Sequence, residues 1–296
     1  MQRPLSEIRF YQTYYFANAI RNILHDQFSY LRSLDDFYGD DKYLMHVTPF
    51  PKYSALHCFI EFVIDDILSD EINEINLEKR QEMVRRFSSI PVALEDLRPT
   101  SLPISEALNY YEIEHESFED WLKEHNKTFL EAIDDDISDY YTDLRLAGPY
   151  DALLERAVHE VFFVIFQNRR LLLIFNDMMA RQVEDSEPEN VPDEYHQYFA
   201  SSGVLKRVSI PSWVKRAVFF RDRGFCTLCH RDLSGILNVN NIEHFDHIVP
   251  LAQSGLNDVT NIQLLCQDCN LKKRHHAATT SDYYEAWYPI SATDNQ

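Results

Sequence analysis

Two C-x2-C pairs constrain this chain more than any other feature. They are Cys226/Cys229 and Cys266/Cys269, with 36 residues between the pairs. Four thiolates spaced in this way can surround one Zn2+ tetrahedrally and leave no position open, which makes such a site structural rather than catalytic. The zinc would pin the two ends of an inserted hairpin and helix. A module this small has little core, so the metal would supply much of its folding free energy. The start of the chain shows no basic segment followed by an apolar run and a small-residue cleavage site. Without an export signal, paired C-x2-C units point to metal before disulfides, and the expected location is cytoplasmic. The fifth cysteine, Cys58, lies in an apolar stretch and reads as core. On the cysteines alone, the favoured reading is a zinc module that binds nucleic acid or a protein partner and does no chemistry.

Asp246-His247 changes that balance. Hydrolysis of a phosphodiester needs a nucleophile made from water, a cation on the phosphate oxygens and a proton for the leaving group. A neutral histidine is a suitable base near pH 7, and a carboxylate beside it can hold Mg2+, which prefers oxygen ligands. Asn270, directly after the second cysteine pair, offers an amide oxygen as a second hard ligand. Asn261, between Val259 and Ile262, is suited to hydrogen-bonding backbone and holding a loop. Lys272, Lys273 and Arg274 follow on an expected helix, where they would contact phosphate. His244, two positions before Asp246, would share its face in an alternating strand, although a solvated or structural role is favoured over a ligand role.

Jointly these residues resemble the HNH endonuclease family, of the ββα-metal fold. The matching pattern is Cys226/Cys229, then Asp246-His247-Ile248 and Pro250, Gly255, Asn261, Cys266/Cys269, Asn270 and Lys273. The lead-in segment RAVFFRDRGFC also resembles the family's usual first helix. The resemblance covers about the last quarter of the chain. It implies His247 as general base, Asp246 and Asn270 as ligands of a catalytic Mg2+ or Mn2+, and Asn261 orienting the loop or the histidine. It implies Cys226, Cys229, Cys266 and Cys269 as ligands of structural Zn2+, and Lys273 as the leaving-group or phosphate contact. Two departures stand out: Ser254-Gly255 replaces a common pair of glycines, and Asn270 stands where histidine is sometimes found.

The rest of the chain is of another character. The net charge is −20, which is unusual for a protein that meets nucleic acid. Divided, residues 205–296 carry 10 Lys+Arg and 9 Asp+Glu, a net of +1; the remaining 18 basic and 39 acidic groups give residues 1–204 a net of −21. Between Lys206 and His276 the balance is 10 basic against 6 acidic. An acidic surface repels a phosphate backbone, so DNA would be met by the C-terminal part.

Residues 1–183 read as an acidic helical domain of unknown role. Apolar stripes at helical spacing run through Phe10, Tyr14, Ala17 and Leu24; through Leu56, Phe59, Ile60, Val63 and Ile67, with Ser54 as N-cap; through Phe129, Ala132, Ile133, Ile137 and Tyr140; and from Val161 to Met179. The most apolar stretch, Val161 to Phe175, contains Arg169 and Arg170, which favours a buried helix over a membrane span. The acidic clusters Asp65-Asp66 and Asp134-Asp135-Asp136 read as solvated faces. Residues 184–210 are expected to be a linker or connecting segment, and 211–296 the HNH domain.

The expected fold class is therefore mainly α, a helical domain followed by a small ββα-metal domain. The expected function is metal-dependent hydrolysis of DNA, with RNA left open as substrate, in a bacterial phage-defence effector regulated by its helical domain. A protein or ligand regulator of that domain and a homodimer are the other expected partners, with no membrane partner.

Overall fold

The computed structural model describes residues 6–87, 100–187, 189–235, 243–274 and 277–281. Its described residues are mainly helical with two small antiparallel sheets. The helices are α1 (Ser6–His25), α2 (Leu31–Tyr38), α3 (Ala55–Asn73), α4 (Leu77–Phe87), α5 (Pro103–Tyr110), α6 (Phe118–Glu124), α7 (Asp134–Ala147), α8 (Pro149–Phe166), α9 (Arg169–Glu184), α10 (Asp193–His196), α11 (Ser212–Arg221) and α12 (Gln267–Lys273). The strands are β1 (Phe199–Ser201), β2 (Val204–Leu205), β3 (Glu243–His247) and β4 (Ile262–Cys266). None of the described helices is long and apolar enough to cross a membrane.

The described residues group into two compact units, those within Met1–Phe16 and Glu61–Glu160, and those within Ala17–Ile60 and Val161–Gln296. This division differs from the expected partition at 183 and 211. Residues 17–60 and 161–183 join the C-terminal part because their apolar faces pack with it. Residues 184–210, expected as a linker or connecting segment, contain α10 and the β1–β2 hairpin. Val191, Phe199 and Leu205 are buried there, and this apolar anchoring holds the segment in the fold.

The unit containing 61–160 has an aromatic core. Phe118 lies 5.2 Å from Tyr140 and 6.1 Å from Phe129, ring centre to ring centre. The third apolar stripe is not one continuous helix: α7 begins at Asp134, and Ile133 is exposed at its N-cap. The reason is Asp136, which is buried rather than solvated and accepts from the Ile133 amide (2.9 Å) and from Lys127 (2.5 Å). An acidic first turn stabilises a helix start here. Asp65 is likewise engaged, accepting from Tyr150 and Arg145.

In the other unit the second stripe folds as expected. Ser54 Oγ accepts from the His57 amide at the start of α3, and Leu56, Phe59 and Ile60 are fully buried. On α1 the buried positions are Phe16, Ile20 and Leu24, whereas Tyr14 is exposed. The stretch Val161 to Met179 breaks into α8 and α9, because Asn168 leaves helical geometry and its side chain caps the Leu171 amide at 3.1 Å. The break turns Arg169 inward, where it pairs with Asp222 at 3.2 Å.

Candidate active site and metal centre

The C-terminal part is built on one hairpin and one helix. β3 and β4 pair antiparallel, with Asp246 opposite Gln263 and His247 opposite Ile262. All five residues of β4 are buried, consistent with an apolar strand covered on both faces. Cys266 ends β4, and its sulfur accepts from the Cys269 amide at the start of α12. The turn at Cys226 docks on the same strand through the Thr227 amide, which donates to the Leu264 carbonyl at 2.9 Å.

The four cysteines of the two pairs converge. Their sulfurs all lie within 4.8 Å of one another, with Cys229 and Cys266 3.6 Å apart. Burial, then the neighbouring sulfurs, raise the Cys269 thiol well above its ordinary value. Four thiols held this close need a cation before they can ionise together, and a tetrahedral thiolate set suits Zn2+. The cluster could hold zinc.

Behind the hairpin, Arg221 and Asp222 at the end of α11 form a buried ionic knot. Arg221 donates to both Asp222 oxygens (2.9 and 3.0 Å) and to the Ile262 carbonyl (2.6 Å). Asp222 Oδ2 also accepts from the Leu264 amide at 2.9 Å. These bonds fix β4 against α11, while Arg221 Nη1 stays buried with no hydrogen-bond partner among the described residues.

Asp246, His247 and Asn270 line one cleft of about 340 Å3, together with Arg207, Phe245, Pro250, Leu251, Ala252, Leu271 and Arg274. His247 is nearly inaccessible, 3% exposed. Burial pushes its imidazole down to about 4, only partly opposed by Asn257 and Asp246, so the ring is neutral at pH 7. Its Nε2 lies 3.2 Å from Asn257 Oδ1. The amide nitrogen of Asn257 donates to the Lys206 carbonyl at 2.9 Å, which turns Oδ1 toward the histidine. Oδ1 can only accept, so the proton sits on Nε2 and the lone pair on Nδ1.

Asn261 is completely buried and staples the loop after the histidine. Its Oδ1 accepts from the Val249 amide (2.8 Å), and its Nδ2 donates to the carbonyls of Val249 (3.0 Å) and Leu256 (2.9 Å). Gly255 allows this closure, because a Cβ there would overlap the Val249 carbonyl.

Lys273 is placed differently from expectation. Its ammonium is buried, donating to Asp246 Oδ2 (2.9 Å) and to the His247 carbonyl (2.6 Å). An amine committed to two internal acceptors is not free for phosphate. Arg274 and Arg207 line the cleft instead. His244 is not among the lining residues, and its Nε2 is buried with no partner among the described residues. His275 and His276 lie outside the described residues.

Two contributors carried no legible signal. Asn257 sits in a turn as an ordinary polar residue, and Arg207 lies upstream of the motif. A third connection is also tertiary: the Phe50 amide donates to the Asn257 carbonyl at 2.7 Å, and the Ala55 amide at the start of α3 donates to the buried Asp258 carboxylate at 3.0 Å.

Residues 226–276 match the family model described as HNH endonuclease, and no family model matches the N-terminal region. No curated protein and no solved structure matches the chain. The match spans both cysteine pairs and every residue assigned to the cleft from the sequence, which supports a nuclease-type function for this part.

Proposed function

We propose that the protein is an endonuclease that hydrolyses DNA phosphodiester bonds at the cleft formed by Asp246, His247 and Asn270. The observation that carries this reading is the convergence of a neutral, tautomerically fixed histidine with two oxygen donors in one cleft. Asp246 gives one oxygen to Lys273, which leaves Oδ1 for a further ligand, and Asn270 adds an amide oxygen. An oxygen-only pair beside a neutral imidazole fits a hard divalent cation, Mg2+ or Mn2+. When bound, that ion supplies Lewis-acid stabilisation of the phosphate oxygens.

The chain's own residues divide the remaining work. His247 Nδ1 takes a proton from the attacking water, and Asn257 holds the ring in the required tautomer. Arg207 and Arg274 bind the phosphate, and Lys273 positions Asp246 and the His247 carbonyl. Asn261 fixes the loop that carries Pro250 and Leu251 into the cleft wall. One such site cuts one strand, so cutting both requires a homodimer or two encounters.

The test is plasmid nicking by full-length protein in Mg2+ or Mn2+, with His247→Ala alongside and zinc content measured in both. Metal-dependent nicking by wild type alone is expected. Equal nicking by a zinc-loaded His247→Ala variant would overturn the assignment. The Lys273–Asp246 pair favours one other reading, a zinc-stabilised nucleic-acid-binding module in which that carboxylate is never released. Binding without cleavage, in wild type and in Lys273→Met alike, would establish it.

The reading extends by analogy to a phage-defence effector; the net charge of −21 over 1–204 supports only the part of it in which acidic N-terminal residues hold nucleic acid off. Its check is phage plating on cells carrying wild type or His247→Ala, where only wild type is expected to reduce plaque number.

A further inference from the structure

A second cavity lies beside the cleft, between α11 and β3. It has a volume of about 560 Å3 and is lined by Lys215, Arg216, Phe219, Phe220, Glu243 and Phe245. Three aromatic rings border this one groove: Phe220 is exposed, and Phe219 and Phe245 are half-buried. Phe220 is 72% exposed. Its neighbour Phe219 meets it edge-on at 6.3 Å and is backed by Gly224, where a Cβ would come within 3.0 Å of the ring. Lys215 Nζ sits 5.9 Å above the Phe245 ring. The groove thus combines rings at its floor and rim with two cations, against one carboxylate, Glu243.

Phe245 lines both this groove and the cleft that holds Asp246 and His247. A strand whose phosphate lay in the cleft would continue along β3 past Phe245. In the groove its bases would meet the rings, and its phosphates would meet Lys215 and Arg216. Bases within a duplex are stacked on one another and cannot offer a face to Phe220; unpaired bases can. The cations match the basic balance of Lys206 to His276, against the acidity of the preceding residues.

Resting on the nuclease reading above, we propose that the groove between α11 and β3 takes unpaired nucleotides of a DNA strand, which makes single-stranded or locally opened DNA the preferred substrate. Phe220 supplies the stacking face, with Phe245 and Phe219 beside it, and Lys215 and Arg216 contact the flanking phosphates.

The experiment is fluorescence anisotropy of full-length protein, without added divalent metal, on a labelled DNA single strand and on the blunt duplex of the same sequence. Wild type is expected to bind the single strand more tightly. Phe220→Ala is expected to weaken single-strand binding by roughly 5- to 150-fold, the range for loss of one base–aromatic stack, and to leave duplex binding unchanged. Lys215→Ala/Arg216→Ala is expected to lower the slope of log affinity against log salt by about 0.7 for each phosphate that the variant no longer neutralises. Both variants alter surface groups, and unchanged zinc content and melting temperature check their fold.

Unchanged binding by Phe220→Ala, or equal losses on strand and duplex, overturns the proposal. Tighter binding of an RNA strand of the same sequence overturns the commitment to DNA. Loss of self-association in Phe220→Ala assigns the groove to a second copy instead. Nicking activity separates the two readings. Phe220-dependent strand binding without metal-dependent cutting upholds the groove and refutes the nuclease. Cutting that Phe220→Ala leaves intact on single strands does the reverse.

Discussion

Replacing Asn261 by alanine removes one amide that makes three buried hydrogen bonds. The bonds go to the Val249 amide, the Val249 carbonyl and the Leu256 carbonyl. Each neutral bond contributes about 1 kcal/mol net, and a buried donor left unpaired costs about 1–3 kcal/mol. The Val249 amide is the donor at risk, since Val249 is 1% exposed. The carbonyls lose less, and a water entering the vacated space would recover part of the cost. The expected loss is thus about 3 kcal/mol. For a cooperative unit of this size that is a fall in Tm of about 6–12 °C.

The assay is thermal unfolding followed by circular dichroism, with zinc content measured before heating. The loop from Val249 to Leu256 also forms the cleft wall, so kcat for plasmid nicking is expected to fall more than the fraction unfolded explains. Asn261→Asp retains the acceptor for the Val249 amide but loses both donors, and faces two carbonyl oxygens with a charge. It is expected to melt no higher than Asn261→Ala. If Asn261→Ala melts within about 1 °C of wild type and nicks at the wild-type rate, the staple is not what holds this loop.

Three further outcomes follow from the same geometry. Gly255→Ala places a Cβ against the Val249 carbonyl, where backbone must move, and denaturant titration should show a loss of about 2 kcal/mol or more. Lys273→Met leaves the mostly buried Asp246 carboxylate without its cation, a loss of about 2 kcal/mol after allowing for the 16% exposure of that side chain; isothermal titration should then show tighter Mn2+ binding than in wild type. Burial pushes His46 down to about 4, below its unfolded value near 6.5. The folded state therefore favours the neutral ring, so its full contribution is present above pH 6.5 and is lost as the pH falls toward 4. The stability lost is about 3 kcal/mol, and urea titrations across that range should show His46→Leu to be less acid-sensitive.

Much of the site was written in the local sequence. The two C-x2-C pairs, Asp246-His247 and Asn270 were legible in residue type and spacing, because four converging cysteines and a hairpin of this length allow few arrangements. Asn261 was legible as a loop holder for the same reason: it sits between apolar residues of a short turn. The mainly helical character of residues 1–183 was legible too, from apolar periodicity and the scarcity of glycine.

Other features depended on partners far away in the chain. Nothing local distinguishes Asn257 from a turn residue; its role comes from the Lys206 carbonyl on one side and His247 on the other. Lys273 reads as one of three exposed basic residues, and only the placement of α12 against β3 turns it inward. The break at Asn168 reflects a side-chain cap that competes with helix continuation, and the reward for breaking is the pairing of Arg169 with Asp222.

The grouping of residues 17–60 with the C-terminal part is the largest such case. Periodicity in a helix tells which face is buried, but not against what. That choice is made when Phe50 and Ala55 donate to the Asn257 carbonyl and the Asp258 carboxylate, bonds that span about 200 residues of sequence. The sequence by itself determined the four-cysteine set that could hold zinc and the residue pattern found in the cleft, since both follow from residue type at short spacing. Only the tertiary structure decided which residues orient that motif, because orientation is set by partners that no local pattern names.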